Sequence, residues 1–249
     1  MTRTVDVAII GGGVMGCSIA MHLREAGVAR VVVVERDSTY ARASSHLAMG
    51  GICQQFGSAL NVRLVQASLP FWREFDAHMS RPRKPIRANF RQRGYLFLAG
   101  HDEADVFERK LKLMKSAGAH VEKLDREGLA RRLPDIALDD IAFGVFGEDD
   151  GYASPREVLK GMRQGAEAAG VDFVEAEVIA IERASGAPSG AMIEHAGGAA
   201  QDRVTGVALE NGDRIAAGAL VNAAGAWAGR VGRLAGLELP IEPQRQHLF

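Results

Sequence analysis

Two short apolar runs lie near the start of the chain, separated by a stretch with helical character. Residues 5–10 are apolar except at Asp6, and residues 31–34 are four consecutive valines. Such runs are typical of parallel strands that are covered on both faces. Residues 14–26 between them are predicted to form a helix that ends at Gly27. The pattern therefore predicts a strand–helix–strand unit of about 30 residues.

The rest of the chain alternates helical and strand patterns. A helix predicted over 58–78 contains Pro70, which should kink or divide it. The sequence Ser154-Pro155-Arg156-Glu157 combines an N-cap, a proline at the first helical position and a glutamate three residues past the cap, and it predicts a helix that ends near Gly170. The other predicted elements are a helix over 102–117, strands at 93–98, 141–146, 171–174, 178–182 and 219–221, and an antiparallel meander over 192–215 that turns at Asn211-Gly212.

Composition and charge narrow the class of protein. The chain has 249 residues, 47% of them hydrophobic and 24% charged, as in ordinary globular proteins. Its net charge of -1 argues against a dedicated nucleic-acid-binding protein. No run of about 18 apolar residues predicts a membrane span. Cys17 and Cys53 are too few for a disulfide framework, and the N-terminus resembles no targeting signal, so we expect a cytoplasmic protein.

The first predicted turn carries the best-defined motif. Gly11-Gly12-Gly13-Val14-Met15-Gly16 is a G-x-G-x-x-G sequence between a strand and a helix. The first glycine permits the tight turn, Gly13 lets the backbone approach a pyrophosphate, and Gly16 lets the helix pack closely. Val14 and Met15 add amide donors at the helix N-terminus. The motif in this context predicts a dinucleotide-binding site.

An acidic residue ends the second predicted strand. Glu35 lies 19 residues after Gly16, where a carboxylate accepts hydrogen bonds from the adenosine ribose and disfavours a 2′-phosphate. FAD and NAD both use this arrangement. Residues 43–52, with their hydroxyls and glycines, favour FAD. Residues 221–227, Val-Asn-Ala-Ala-Gly-Ala-Trp, also favour it because they resemble the second flavin contact of the glutathione-reductase-type fold.

These segments are similar to the D-amino-acid oxidase (DAO) family of flavoproteins, which includes glycine, sarcosine and dimethylglycine oxidases and dehydrogenases. The resemblance also rests on residues 50–56, Gly-Gly-Ile-Cys-Gln-Gln-Phe, and 93–99, Arg-Gly-Tyr-Leu-Phe-Leu-Ala, and it covers essentially the whole chain. It implies an α/β fold in which a glutathione-reductase-type, Rossmann-like FAD-binding domain is interleaved with an antiparallel α+β substrate domain.

The resemblance also implies where the two domains lie. The FAD-binding domain is expected over 1–80 and 150–235, and the substrate domain over 81–149 and 236–249. Family members are longer than this chain, which implies a C-terminally truncated form or a fragment. The alternative is a natural half-protein that a partner completes.

Cofactor residues follow from the resemblance position by position. It places the pyrophosphate on Gly11, Gly13 and Gly16 and the ribose on Glu35. Further implied cofactor contacts are Arg36, Ser44 and Ser45 on the adenosine-phosphate side, Gly50 and Gly51 beneath the flavin, Val178 at the adenine, and Ala224 and Gly225. Some members attach the flavin covalently through a histidine near His46. That position is Leu47 here, so FAD is predicted to be bound non-covalently.

The function that the resemblance implies is flavin-dependent oxidation of the C–N bond of a small amine, an amino acid or an N-methylamino acid. The electron acceptor would be oxygen, a quinone or an electron-transfer protein. One mitochondrial branch of the family is linked to the assembly of a respiratory complex. The alternative is therefore an assembly factor that associates with a membrane redox complex and in which FAD is mainly structural. An NAD-dependent dehydrogenase is a third option.

The catalytic candidates are few, since flavin chemistry needs no protein nucleophile. His46 either faces the flavin or is a polar loop residue. Gln54 and Gln55 either place hydrogen bonds near the ring or are solvated. Cys53 lacks an evident activating base and is interpreted as packing, as is Cys17.

Three charged groups have alternative explanations. The basic run over 81–93 could attract an anionic substrate or partner, or be a solvated surface. Arg245 and His247 could meet a substrate carboxylate or lie on a surface strand. Glu148-Asp149-Asp150 resembles a metal cluster, but carboxylates are favourable ahead of the helix that starts at Ser154, so we predict no metal.

Overall fold

A computed structural model describes residues 2–184 and 203–245. The strands of these residues are β1 (Thr2–Ile10), β2 (Val31–Glu35), β3 (Gly51–Ile52), β4 (Arg91–Gln92), β5 (Tyr95–Gly100), β6 (Val121–Leu124), β7 (Ile141–Gly147), β8 (Gly151–Tyr152), β9 (Asp172–Glu175), β10 (Val178–Ala184), β11 (Arg203–Leu209) and β12 (Arg214–Asn222). The helices are α1 (Val14–Glu25), α2 (Ser44–Leu47), α3 (Ala59–Arg73), α4 (Phe75–Met79), α5 (Ala104–Ser116), α6 (Arg126–Arg132), α7 (Pro155–Ala168) and α8 (Ala228–Leu234), with a single 3-10 turn at Gly225–Trp227.

The chain divides into two compact units, and the first is discontinuous in sequence. The first unit contains residues 1–47 and 156–249, and the second contains residues 48–155. These boundaries differ from the expected ones: residues 48–80 and 150–155 fold with the second unit, and residues 236–245 fold with the first. Strand β3 there pairs with β8, and Val62 of α3 is fully buried in a core with residues of α5 and β7. The assignment of cofactor and substrate roles to the two units remains a proposal.

The first unit is built on a six-stranded sheet of order β10-β11-β12-β1-β2-β9. Strands β12, β1, β2 and β9 run parallel, and β10, β11 and β12 are antiparallel neighbours. The predicted strand–helix–strand unit is confirmed as β1-α1-β2, and the four valines of β2 are at most 2% exposed. Burial on both faces explains why the β2 sequence is apolar without alternation.

Three parallel strands of this sheet end at the same edge. Ile10 of β1 lies opposite Val34 of β2 on one side and Asn222 of β12 on the other. In parallel α/β sheets, ligands bind beyond the carboxyl ends of such strands. The segments that follow β1, β2 and β12 are therefore placed together by the fold.

The second unit has two small antiparallel sheets. Strand β7 lies between β5 and β6, and β8 lies between β3 and β4. One face of the β5-β7-β6 sheet packs with α3 and α5 around Val62, Leu111, Met114 and Phe143. In the part of the chain that the structure describes, no helix combines the length and apolar character needed to cross a membrane.

Several predicted elements require correction. The helix predicted over 58–78 continues through Pro70 and is divided at Glu74, whose N–H still donates to the Pro70 carbonyl. Residues 219–221 are not a separate buried strand but the end of β12, where Ala219 is exposed. The predicted turn at Asn211-Gly212 is confirmed between β11 and β12, with φ +84° at Gly212. Residues 192–202 of the predicted meander lie outside the described residues.

Candidate dinucleotide-binding site

The turn from β1 into α1 is fixed by two glycines that the protein itself requires. The Gly11 N–H donates to the Val34 carbonyl over 2.8 Å, which ties the turn to β2. Gly11 has φ +105°, and a Cβ there would lie 2.5 Å from the Ala223 carbonyl oxygen. A Cβ on Gly16 would overlap the carbonyl oxygen of Gly11. Side chains at these two positions are excluded by the backbone of the first unit.

Gly13 has a different environment. It has φ -66° and ψ -178°, a conformation open to any residue, and a Cβ there would meet only the Ser45 hydroxyl at 3.3 Å. As the N-cap of α1 it supplies no side-chain oxygen, so the amides of the first helical turn are left to other partners and the positive end of the helix dipole faces the cleft. Val14 N–H donates to the Ser45 hydroxyl over 3.1 Å. The space beside Gly13 fits the approach of a pyrophosphate.

Glu35 lies across the turn at the end of β2. Its Oε2 accepts from the Gly12 N–H over 2.7 Å, and its Oε1 accepts from the Asp37 N–H over 3.0 Å. These bonds fix the carboxylate beside the turn. Each carboxylate oxygen can accept more than one hydrogen bond, so Glu35 keeps capacity for ribose hydroxyls.

The segment after β12 forms the opposite side of the site. Asn222 shapes it through both ends of its amide: Nδ2 donates to the Ala228 carbonyl over 2.9 Å, and Oδ1 accepts from the Ala224 N–H at 3.3 Å. Gly225 has φ +54°, and no atom lies within 4 Å of where its Cβ would be. The backbone at Gly225 is therefore open to close approach by a ligand.

Three arginines line the cleft beside three carboxylates, those of Glu35, Asp37 and Glu177. The Arg36 guanidinium lies 3.9 Å from the ring centroid of Trp227, a cation–π contact between the segments after β2 and β12. Arg230 pairs with Glu177 over 2.8 Å. Arg42 is exposed and has no hydrogen bond or ion pair with any residue that the structure describes. Its fork of donors is suited to phosphate oxygens.

A cleft of about 500 Å³ joins these groups within the first unit, and small-molecule sites commonly span roughly 300–1,000 Å³. The sequence-predicted residues that line it are Gly11, Gly13, Val14, Met15, Glu35, Arg36, Ser44, Ser45, Val178, Ala224 and Gly225. Gly16 does not line the cleft and supports the turn from behind. Sequence reasoning missed other lining residues, among them Tyr40, Arg42, Glu177, Asn222, Trp227 and Arg230. Of these six, only Asn222 and Trp227 belong to a motif, residues 221–227, that could have indicated them.

Gly50 and Gly51 lie in the second unit, where packing explains them. Gly50 has φ +81°, and a Cβ there would overlap the Ala153 carbonyl oxygen. A Cβ on Gly51 would lie 2.9 Å from the Tyr95 ring. Their position beneath the flavin remains a proposal.

Gln54 and Gln55 belong to a buried polar cluster around Asp150 in the second unit. Asp150 is fully buried; its Oδ1 accepts from the Gln54 N–H over 2.8 Å and its Oδ2 from Gln55 Nε2 over 2.9 Å. Burial raises the pKa of Asp150. The Gln54 side chain is 1% exposed, and its amide makes no hydrogen bond of normal length within the described structure. The alternative in which Gln54 is a solvated loop residue is therefore wrong.

The explanation given for the acidic cluster at 148–150 is wrong for Asp150. Its carboxylate binds the Gln54–Gln55 segment instead of stabilising the start of α7. Asp149 accepts from Gln92 over 3.0 Å and lies 2.9 Å from the His120 ring nitrogen. Among the described residues, no group of three His, Cys, Asp or Glu side chains is arranged to hold a metal ion.

The remaining candidates are dispersed. His46 is half-buried in α2 and does not line the cleft, so its catalytic role stays a prediction. Cys17 is confirmed as a packing residue: it is buried, its thiol donates to the Gly12 carbonyl over 3.1 Å, and burial raises its pKa to about 12. Burial also raises the pKa of Cys53, which makes its thiol a poor nucleophile.

The basic run at 81–93 includes β4 and the buried residues Ile86 and Ala88, and its backbone is attached to Asp76. The Asp76 carboxylate accepts from the backbone N–H groups of Ala88 and Asn89 over 2.8 and 3.1 Å. Arg83, Arg91 and Arg93 are exposed; Arg245 is exposed as well, and His247 lies outside the described residues. The two explanations of the basic run, a solvated surface and contact with an anion, both stay predictions.

The β1-α1-β2 turn, the carboxylate at the end of β2 and the cleft beyond three parallel strands define a dinucleotide-binding α/β protein. The family model described as "FAD dependent oxidoreductase" (DAO) matches residues 6–249, and the chain belongs to this family. The family is FAD dependent, and the expected family and α/β fold class are thereby confirmed.

Individual relatives agree with this assignment. The chain is 34% identical over 268 residues to FAD-dependent oxidoreductase domain-containing protein 1 of Bos taurus, covering 98% of this chain and 54% of that protein. It is 27% identical to the mitochondrial sarcosine dehydrogenase of Mus musculus, covering 97% of this chain and 25% of that protein. The crystal structure of glycine oxidase from Geobacillus kaustophilus superposes with a TM-score of 0.76 at 26% identity, covering 97% of this chain and 60% of that chain. The chain thus spans between a quarter and three fifths of the length of these relatives.

Proposed function

We propose that the first-unit cleft binds FAD non-covalently and that the protein oxidises the C–N bond of an amino acid or N-methylamino acid. The observation that carries the proposal is the open space beside Gly13, at the N-terminus of α1 and across from the Glu35 carboxylate. Relatives named glycine oxidase and sarcosine dehydrogenase supply the substrate class.

The proposed roles of this chain's residues follow from their positions in the cleft. The backbone at Gly13 and Val14 would face the pyrophosphate, Glu35 would accept from the ribose hydroxyls, and the free guanidinium of Arg42 would offset phosphate charge. Val178 and Gly225, which also line the cleft, would contact the cofactor through their backbone. When bound, FAD would supply the two-electron acceptor for oxidation of the C–H bond beside the amine nitrogen, which yields an iminium ion that water hydrolyses.

The proposal assigns no protein nucleophile, and His46, Gln54 and Gln55 stay candidates for orienting the substrate. The electron acceptor would be oxygen, a quinone or an electron-transfer protein. The alternative function is an assembly factor for a membrane redox complex in which FAD is structural. One observation supports this alternative: the relatives at 32–34% identity bear a name that states no substrate.

The experiment is the visible absorption spectrum of the FAD-loaded protein before and after anaerobic addition of glycine, sarcosine, dimethylglycine and L-proline. Bleaching of the flavin band by one of these amines would support the oxidase or dehydrogenase. A flavin band that none of them bleaches, in a protein that co-purifies with a respiratory complex, would replace that proposal with the assembly-factor function.

A further inference from the structure

Tyr40 is a buried aromatic residue in a backbone conformation that tyrosine rarely adopts. It lies in the segment between β2 and α2, is 8% exposed and has φ 56°. A bulky residue in the left-handed region costs free energy and persists where its surroundings hold it in place. The contacts of Tyr40 therefore show which residues hold this conformation in place.

Two sets of bonds hold Tyr40. Its N–H donates to the Asp37 carbonyl, and its own carbonyl accepts from the Ala43 N–H, both over 3.0 Å. Its phenol oxygen accepts from Arg163 Nη1 over 3.0 Å. The phenol is neutral near pH 7 at its ordinary pKa of about 10, and burial raises the pKa of Tyr40 further, to about 12.

Arg163 is itself fixed on helix α7. Its Nε donates to Glu167 over 3.0 Å, and its guanidinium lies 4.7 Å from the ring centroid of Phe173 on β9. Arg163 does not line the cleft, whereas Tyr40 does. The pair thus connects a side chain outside the cleft to the cleft wall.

The hydroxyl of Tyr40 lies beside Gly12 in the glycine turn. A Cβ on Gly12 would lie 3.2 Å from the Tyr40 hydroxyl and 3.1 Å from Glu35 Cβ. Gly12 is the unspecified second position of G-x-G-x-x-G, and here Tyr40 and Glu35 enclose it. Its N–H is the group that donates to Glu35. A displacement of Tyr40 would release one side of this enclosure.

The segment that contains Tyr40 also delivers Ser45. Ser45 lies five residues beyond Tyr40, and its hydroxyl accepts from the Val14 N–H. Tyr40 is thus next to the turn in two ways: its hydroxyl lies beside Gly12, and the short segment that follows it leads to Ser45.

We propose that Tyr40 and Arg163 are positioning residues for the cofactor. The neutral phenol, held by Arg163, sets the position of Gly12 and Ser45, and through them the amides that face the pyrophosphate. This inference rests on the proposed FAD site. The competing explanation is that Tyr40 only fills space in the core.

The test is a double-mutant cycle between Gly12→Ala and Tyr40→Phe, with Tyr152→Phe, which changes an exposed tyrosine of the second unit, as the control. The dissociation constant of FAD is measured by quenching of flavin fluorescence, and the unfolding free energy of the cofactor-free protein by urea. Tyr40→Phe keeps the ring and removes the hydroxyl that bonds Arg163. We expect it to raise the FAD Kd about 5–20-fold, with no change in the control.

The double-mutant cycle distinguishes a Tyr40 that positions the cofactor-binding turn from a Tyr40 that only fills space in the core. Without the hydroxyl, a Cβ on Gly12 has more room. The factor by which Gly12→Ala raises the FAD Kd should therefore be smaller in the Tyr40→Phe background than in the native chain, by about threefold or more. Equal effects in both backgrounds, or an unchanged Kd in Tyr40→Phe, would overturn the proposal. If the native chain does not bind FAD, the cofactor site itself is wrong and the proposal fails with it. Coupling in the urea data would then show a structural contact only.

Arg163→Lys is a second variant in case Tyr40→Phe does not fold. It keeps the positive charge and loses the guanidinium geometry that reaches both Tyr40 and Glu167. We expect a rise in the FAD Kd in the same direction, about threefold or more. An FAD affinity equal to that of the native chain would contradict the role of the pair.

Discussion

The glycines of the two units look alike in sequence and differ in what surrounds them. In the second unit, side-chain space at Gly50 and Gly51 is taken by the Ala153 carbonyl and the Tyr95 ring. In the first unit, the space at Gly13 is open except for one hydroxyl, and that at Gly225 is empty. Packing therefore explains Gly50 and Gly51, whereas at Gly13 and Gly225 it leaves space that is open to a ligand.

The polar groups of the two units show the same contrast. Around the first-unit cleft, Arg42 faces solvent without a partner among the described residues. In the second unit, Asp150 turns inward and fixes the backbone of Gln54. The first arrangement leaves charge for a ligand, and the second uses charge to hold a segment of chain.

The largest expected effect is in the second unit, at Gly50. Gly50→Ala places a side chain at φ +81° against the Ala153 carbonyl, and we expect it to lower the unfolding free energy by about 2–4 kcal/mol. Urea denaturation measures the effect. Gly57→Ala, where no atom lies closer than 3.7 Å to the new Cβ, is the control and should change little. Equal unfolding free energies of the two variants would show that packing does not require a glycine at position 50.

Gly13→Ala tests whether the space beside Gly13 in the first unit serves a ligand. The backbone tolerates alanine there, so we expect the unfolding free energy to stay within about 0.5 kcal/mol of the native value. The FAD Kd should rise about tenfold or more, because the new methyl group occupies the space where the pyrophosphate approaches. Both quantities are measured on one preparation, by urea denaturation and by flavin fluorescence. Lost stability with unchanged affinity would reverse the interpretation of Gly13.

Arg42 should contribute less, since it is exposed and screened by salt. We expect Arg42→Gln to raise the FAD Kd about 3–10-fold at low salt and less at high salt. Arg63→Gln, an exposed arginine on α3 of the second unit, is the matched control. A titration of both variants at two salt concentrations checks this. A salt-independent loss, or equal losses in the two variants, would count against a phosphate contact.

The smallest effect is a pH dependence from Asp150. Burial raises its pKa in the folded state, so the folded protein binds more protons than the unfolded chain does. Its contribution to stability is fully present below the ordinary aspartate pKa and is lost as the pH rises through the raised one. The unfolding free energy of the native chain minus that of Asp150→Asn should therefore increase as the pH falls. Urea denaturation at several pH values measures this difference, and a constant difference would exclude the effect.

The sequence predicted most of the first unit because its signals are local. Apolar β1 and β2, the turn at Gly11 and the acid at Glu35 all lie within the first 35 residues. The bonds that sequence reasoning missed join distant residues: Tyr40 and Arg163 are 123 positions apart, and Gln54 and Asp150 are 96 apart. No periodicity reports such a pairing.

The boundary of the second unit was missed for a related reason. Strands β3, β4 and β8 have two residues each, too short for a period of two to be recognised. Their pairing draws residues 48–80 into the second unit. The adjacent Asp150 was assigned to a helix start because its partners, Gln54 and Gln55, are far away in sequence.

The central claim is that the first-unit cleft holds the adenosine-diphosphate half of FAD. The most direct measurement is a competition titration in which FAD bound to this chain is displaced by ADP or by FMN, followed by flavin fluorescence. We expect one FAD per chain, displaced by ADP and not by FMN. Displacement by FMN alone, or no FAD binding at all, would contradict it.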